Sequence, residues 1–352
     1  MTLFLLIIIL ISLWRIKIAK PVVSGINLNY LDISRTDSIK GIFILLVFLS
    51  HARNYISTLP EYSENALNGI YNIFQNHLGQ GVVVMFLFYS GYGIMESIKR
   101  KGVPYINAIP KNRFAKTLLN FDFAVLVFLF FSIFLGTLKN YTIPQVLLSF
   151  IGWENIGNSN WYIFAILVLY LLTYVSFKIF KNKYSYAAAF TTVLTVAYII
   201  VLSFFKDAWW FDTVLLYPFG IWYSIGKEKI ESYIRKKSIN YYFLLIMSFV
   251  IFVVTHLLRG NVVCYEISQI ALCAVIVFAT MKLDINNKII NFFGRHLFEI
   301  YILMRIPMNL LIHFGITDTY PFVLISFAAT IILAVLFKKF LGLIDSKIFA
   351  KG

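Results

Sequence analysis

Charge is scarce in this chain, and cysteine is almost absent. Only 13% of the 352 residues are charged, against about a quarter in an ordinary soluble domain. The two cysteines, Cys264 and Cys273, stand nine residues apart in one apolar run. On a helix that separation is roughly 13 Å, too far for a disulfide between them. No His or Cys shows metal-ligand spacing, so a disulfide framework and a metal module are not expected. What fills the sequence instead is apolar. Hydrophobic residues make up 60%, mean hydropathy is +0.80, and there are 35 Phe and 22 Tyr. Such a composition points to an all-α, polytopic transmembrane bundle.

Apolar runs fall at about 2–18, 39–57, 79–98, 117–138, 160–178, 185–205, 211–226, 240–258, 263–281, 289–312 and 320–337, each of a length that suits a membrane helix. The first has no basic stretch before it and no small-residue cleavage site after it. It therefore reads as a retained helix and not a signal peptide. The expected division is an N-terminal helix and linker over 1–33, a membrane domain over 34–340 and a short tail over 341–352. No large soluble domain is expected.

The net charge of +15 would suggest nucleic acid in a soluble protein. Here most of the Lys and Arg fall in alternate loops, from Arg15, Lys17 and Lys20 through the 99–116 cluster to Lys338, Lys339, Lys347 and Lys351. The exceptions are Arg53, Lys139, Lys206, Arg259, Arg295 and Arg305. That alternation is the positive-inside pattern. It places the N-terminus outside and the C-terminus in the cytoplasm, and it removes the argument for nucleic acid. The loop at about 58–78 holds Glu61, Glu64 and His77 without Lys or Arg, as an external loop would.

The stretch from Ser38 to Ile56, SIKGIFILLVFLSHARNYI, carries His51 and Arg53 inside an apolar run. His51 follows Lys40 by eleven residues, which places it about 16 Å into the bilayer. An ionisable group at that depth is costly unless it faces protein or water. A histidine bonded to a neighbouring helix and a catalytic base both satisfy that requirement. His77, His256, His296 and His313 fall at predicted helix ends and read as interfacial.

Four stretches in order resemble acyltransferase family 3, a family of integral-membrane O-acyltransferases. The first is Asp37-Ser38-Ile39-Lys40-Gly41 followed by an aliphatic run to Leu49-Ser50-His51. The second ends in Phe88-Tyr89-Ser90-Gly91-Tyr92. The third is the basic loop with Lys111-Asn112-Arg113, and the fourth is FFGRHLFEIYILMRIPM from Phe292 to Met308. Asn160-Trp161-Tyr162 also resembles the start of a middle helix of the family. The likeness covers about residues 34–340, leaving the first helix as an addition to a ten-helix core. Lys40 and Lys111 stand where Arg is common in the family, and Met304 and Arg305 stand where a second histidine is frequent.

The resemblance implies transfer of an acyl group, acetyl by default, from cytoplasmic acetyl-CoA to a hydroxyl of an extracytoplasmic or lipid-linked glycan. His51 would be the general base, with Asp37 or Glu299 to orient it and Arg53 or Arg305 to stabilise an oxyanion. Lys40, Ser90, Tyr92, Lys111 and Arg113 would line the acyl-CoA site, and Asn160 and Trp161 the acceptor site. No metal is implied. Direct transfer and an acyl-enzyme are both open, and glycan-assembly proteins are conceivable partners. The same deep His, Arg and Glu would also suit a transporter or flippase, and a non-catalytic membrane scaffold would need none of them.

Overall fold

The computed structural model describes residues 1–14, 16–18, 26–59 and 66–349. Arg15, Lys20, Glu61, Glu64 and Lys351, used above in the charge reading, lie outside the described residues. Among the described residues the fold is all helical apart from one two-residue antiparallel pair, β1 (Lys17–Ile18) with β2 (Leu283–Asp284). Helix α1 is Thr2–Leu13 and α2 is Ile33–Ser57. Then come α3 (Ala66–Leu78), α4 (Val84–Lys101), α5 (Val103–Ile109), α6 (Lys116–Phe134) and α7 (Ile143–Ser149). The second half holds α8 (Trp161–Phe180), α9 (Tyr184–Leu202), α10 (Leu216–Lys236), α11 (Ser238–Leu257) and α12 (Val262–Lys282). Three short helices, α13 (Lys288–Arg295), α14 (Leu297–Leu303) and α15 (Arg305–His313), lead to α16 (Thr319–Ile348).

Each of the eleven apolar runs overlaps a helix. Seven helical stretches among the described residues are long and apolar enough to cross a membrane, which is the build of a multi-pass membrane protein. The four runs that fall short do so for visible reasons. Helix α1 has 12 residues, roughly 18 Å of rise. Helix α2 carries Arg35, Asp37, Lys40 and Arg53, and α10 carries six charges in its second half. The run at 289–312 is cut into α13, α14 and α15. Pro307 has no N–H to give the Leu303 carbonyl and its ring crowds it, and α14 ends at that residue. Helix α16 continues through the expected tail to Ile348.

The outer faces are greasy. Phe243, Ile246, Phe249, Val250 and Val254 of α11 are all exposed, which suits a surface meeting lipid and not water. Inside, helices approach at glycines. A Cβ on Gly294 would sit 1.9 Å from the Asp37 carbonyl oxygen, and one on Gly41 would sit 2.0 Å from that of Ile290, so α2 and α13 touch backbone to backbone. Gly91 of α4 and Gly220 of α10 make the same kind of contact, with the carbonyls of Tyr217 and Phe88. Small residues at such crossings are what permit them.

The predicted loops sort by end. Arg35 forks onto Asp284 at 2.8 and 2.9 Å. Lys116 pairs with Asp345 at 2.9 Å, and Lys178 with Asn107 at 2.6 Å. All belong to basic loops, so these gather at one end of the bundle. At the other end Arg259 reaches the Asn76 carbonyl and His256, and Lys206 reaches Glu154.

Candidate functional site

Helix α2 organises the site. Thr36 and Lys40 line a cavity of about 760 Å³ at the basic end. Eleven residues is close to three full turns, so His51 lies on the same face as Lys40, about 16 Å further along. Tyr55 is one turn beyond. The cavity is walled by α4 and by the α13–α14 junction. Ser90 and Tyr92 of the Ser-Gly-Tyr motif face it, while Gly91 between them makes the close contact with α10. Arg100, Arg113, Arg295 and Lys40 bring four cations to it, set against Asp32, Glu96 and Glu299. Its size falls within the range of small-molecule and cofactor sites.

Each cation is held differently. Lys40 Nζ lies 2.7 Å from Asp37, and Arg295 Nε lies 3.8 Å from the same carboxylate. Arg113 sits in a wider helical turn, Pro110–Ala115, and donates Nε to the Tyr105 hydroxyl at 2.9 Å. The Tyr170 hydroxyl is a second hydrogen-bond partner of this guanidinium, which also lines the cavity. Tyr92 receives a hydrogen bond from Lys227 at 3.3 Å. Lys111 is exposed and stands outside the cavity lining.

The inner end of this cavity is aromatic. Phe86, Tyr89 and Tyr162 line it, and the Tyr162 ring meets that of Tyr301 at 5.5 Å. Tyr301 is one turn before Arg305. Arg305 Nη2 donates to His51 Nδ1 at 3.3 Å. An arginine has no acceptor atom, so that contact makes Nδ1 the nitrogen with the free lone pair and leaves the ring proton on Nε2. Three buried donors near this line have no hydrogen-bond acceptor among the described residues: Arg305 Nε, the Tyr301 hydroxyl and the Tyr89 hydroxyl.

The structure therefore brings together His51 and Arg305, and it gathers Lys40, Ser90, Tyr92, Arg113 and Glu299 around the adjoining cavity. It does not bring Asp37, Glu299 or Arg53 to the histidine. Asp37 is occupied by Lys40 at the basic end. Glu299 is buried at the cavity wall with Lys338 at 4.0 Å. Arg53 points to α3, where it donates to Asn72 at 3.0 Å, because two residues on a helix turn a side chain by about 200°. The ring of His51 is contacted by a cation and not by an orienting carboxylate. Asn160 is buried, with its amide donating to the Gly152 carbonyl at 2.9 Å. Trp161 packs against Tyr162 and Trp209.

Several residues of the site were not singled out from the sequence. Arg295, Tyr301 and Tyr89 lie inside the stretches that carry the resemblance, but nothing in their spacing marks them. Tyr55 donates to Asn309 Oδ1 at 2.7 Å across 254 positions, a pairing that only the fold reveals.

A helical membrane protein with a cationic cavity at one end and a deep histidine–arginine pair further along the same helix face is the class these features define. The chain belongs to acyltransferase family 3: the sequence model of the acyltransferase domain matches residues 33–339, most of its length. No curated protein and no solved structure matches it. The membership makes the protein an acyltransferase.

Proposed function

We propose that this acyltransferase moves an acetyl group from cytoplasmic acetyl-CoA to a hydroxyl of an extracytoplasmic or lipid-linked glycan. The basic end would then face the cytoplasm, as the positive-inside pattern requires, with the N-terminus outside. The observation that carries the reading is the shared face of α2, with Lys40 in the cationic cavity and His51 three turns deeper against Arg305.

The chemistry follows from that order. Arg113, Arg100, Arg295 and Lys40 attract the phosphates of the donor, for which guanidinium forks are well shaped. The pantetheine arm runs inward past Ser90, Tyr89 and Tyr162. The thioester carbonyl comes to rest by Tyr301 and Arg305, whose unpartnered N–H and O–H groups fit an oxyanion that forms there. The acceptor hydroxyl approaches His51 from the opposite side and takes the place of Arg305 on Nδ1. Nδ1 accepts the hydroxyl proton as the oxygen attacks the carbonyl carbon. The tetrahedral intermediate collapses, the C–S bond breaks, and the proton passes from Nδ1 to the departing thiolate. Free CoA and the O-acetyl ester are the products. This direct route needs no acyl-enzyme.

The test is CoA thiol release by purified protein in nanodiscs supplied with acetyl-CoA and a glycan extract. The reading expects glycan-stimulated release that is lost in His51→Ala. A protein that neither binds nor consumes acetyl-CoA under any glycan would sink it and favour a transporter.

A further inference from the structure

Beyond His51, the face of α2 continues toward the far end of the bundle. Tyr55 is one turn past His51, and Asn309 is one turn past Arg305. The Tyr55 hydroxyl donates to Asn309 Oδ1 at 2.7 Å. The pair Tyr55–Asn309 is thus the next rung of the ladder whose first rung is His51–Arg305. Asn309 in turn lines a cavity of about 320 Å³, together with Phe131, Asn140, Tyr141, Gly157 and His313. The 150–160 loop closes one side of it. Gly157 has φ +97°, and a Cβ there would lie 3.4 Å from Asn309 Nδ2 and 3.6 Å from the Tyr141 hydroxyl, so the loop backbone faces the amide and the phenol across the space of one methyl group. Burial raises the Tyr141 phenol above its ordinary pKa, which keeps it a hydrogen-bond donor.

Among the described residues no Asp, Glu, Lys or Arg contributes to the lining; amides, hydroxyls and the His313 imidazole alternate with aromatic and aliphatic walls. Two other far-end cavities among the described residues carry charged linings: one, of about 500 Å³, holds Asp212 and Arg259 and meets α2 at Ser50 and Asn54, and the other, of about 430 Å³, holds Lys206, Glu154 and Asp207. Burying an unpaired charge in a neutral site is costly, so the lining itself selects against an ionised ligand. Aromatic walls with a few placed polar groups suit a pyranose ring.

We propose that the Tyr141–Gly157–Asn309 cavity is the acceptor site, that it takes an uncharged saccharide unit, and that Tyr55 and Asn309 position that unit's hydroxyl toward His51. The inference rests on the acyl-transfer reading above and adds the acceptor's place and charge class.

The experiment uses the full chain in nanodiscs with acetyl-CoA and two sets of oligosaccharide probes, one of neutral hexose and N-acetylhexosamine units, the other of uronic-acid units. Asn140→Trp fills the cavity from an exposed rim position with little risk to folding, and Asn309→Ala removes the rung. The expected result is CoA release with neutral probes at least ten times that with uronates. Asn140→Trp should raise KM for the neutral acceptor tenfold or more, with acetyl-CoA affinity unchanged. Asn309→Ala should lower kcat while the variant still binds acetyl-CoA. Equal use of uronates, or an unchanged acceptor KM in Asn140→Trp, overturns the inference and leaves acyl transfer standing. Failure of the wild type to bind or consume acetyl-CoA with any glycan overturns both.

Discussion

Arg305 reaches across from α15 to donate to the one ring nitrogen of His51 that has a free lone pair, at 3.3 Å. A base whose lone pair is already engaged by a cation is held inactive until something displaces the contact. In the proposed cycle that something is the acceptor hydroxyl, and the displaced guanidinium is left beside the carbonyl oxygen. The arginine would thus guard the base at rest and stabilise the oxyanion during transfer.

Replacement of Arg305 should therefore affect chemistry more than binding. Arg305→Gln is expected to lower kcat by roughly 10²–10³, the loss typical of one oxyanion donor, with little change in acetyl-CoA affinity. Thiol release and direct acetyl-CoA binding, measured on the same preparation, separate the two. A loss confined to KM would argue for a binding role instead.

Arg113 should behave in the opposite way. A hydrogen bond to a charged group contributes about 1.5–3 kcal/mol, and 1.4 kcal/mol is tenfold in affinity. Arg113→Gln is expected to raise KM for acetyl-CoA about tenfold or more and to flatten its salt dependence. Lys111→Gln, at an exposed residue outside the cavity lining, should change KM much less. Equal effects of the two substitutions would point to a diffuse basic surface.

The α2–α13 crossing sets where Lys40 and Arg295 stand, and its glycines have no room for a side chain. Gly294→Ala puts a Cβ 1.9 Å from the Asp37 carbonyl, and overpacking of this kind costs about 1–3 kcal/mol. Gly342→Ala, on α16 with nothing within 4 Å, should be neutral or slightly stabilising. Thermal unfolding in detergent compares them directly, and equal Tm values would mean that the crossing relaxes freely.

Much of this fold was legible as sequence. Every apolar run overlaps a helix, and the basic loops collect at one end because charge asymmetry and hydropathy are local properties of the chain. The placement of His51 on the Lys40 face also follows from counting, since eleven residues close three turns. What spacing cannot give is which helices meet. The partner of His51 lies 254 positions away, and the break of 289–312 into three helices shifts every side chain after it relative to a straight span. Arg53 looked as deep as His51, yet two residues of helical rotation send it to Asn72. The glycines at the α2–α13 and α4–α10 crossings were legible only as glycines; their contacts are with backbone far away in sequence.

The helix break itself can be probed. Pro307→Ala restores an N–H for the Leu303 carbonyl and removes the ring that crowds it. The variant is expected to keep or gain stability while losing activity, because a straightened α14–α15 moves Arg305 away from His51. Tm and thiol release report the two effects. Full activity in a variant of unchanged or higher Tm would mean that the break is not needed to place the arginine.

The central claim is that His51 takes the acceptor proton, and the most direct measurement compares wild type with His51→Ala in nanodiscs. Glycan-stimulated CoA release and acetyl-CoA binding would be followed together. The account predicts that release falls by 10²–10⁴, the usual contribution of a general base, while acetyl-CoA binding is retained. Release that continues at the wild-type rate in the mutant would contradict it.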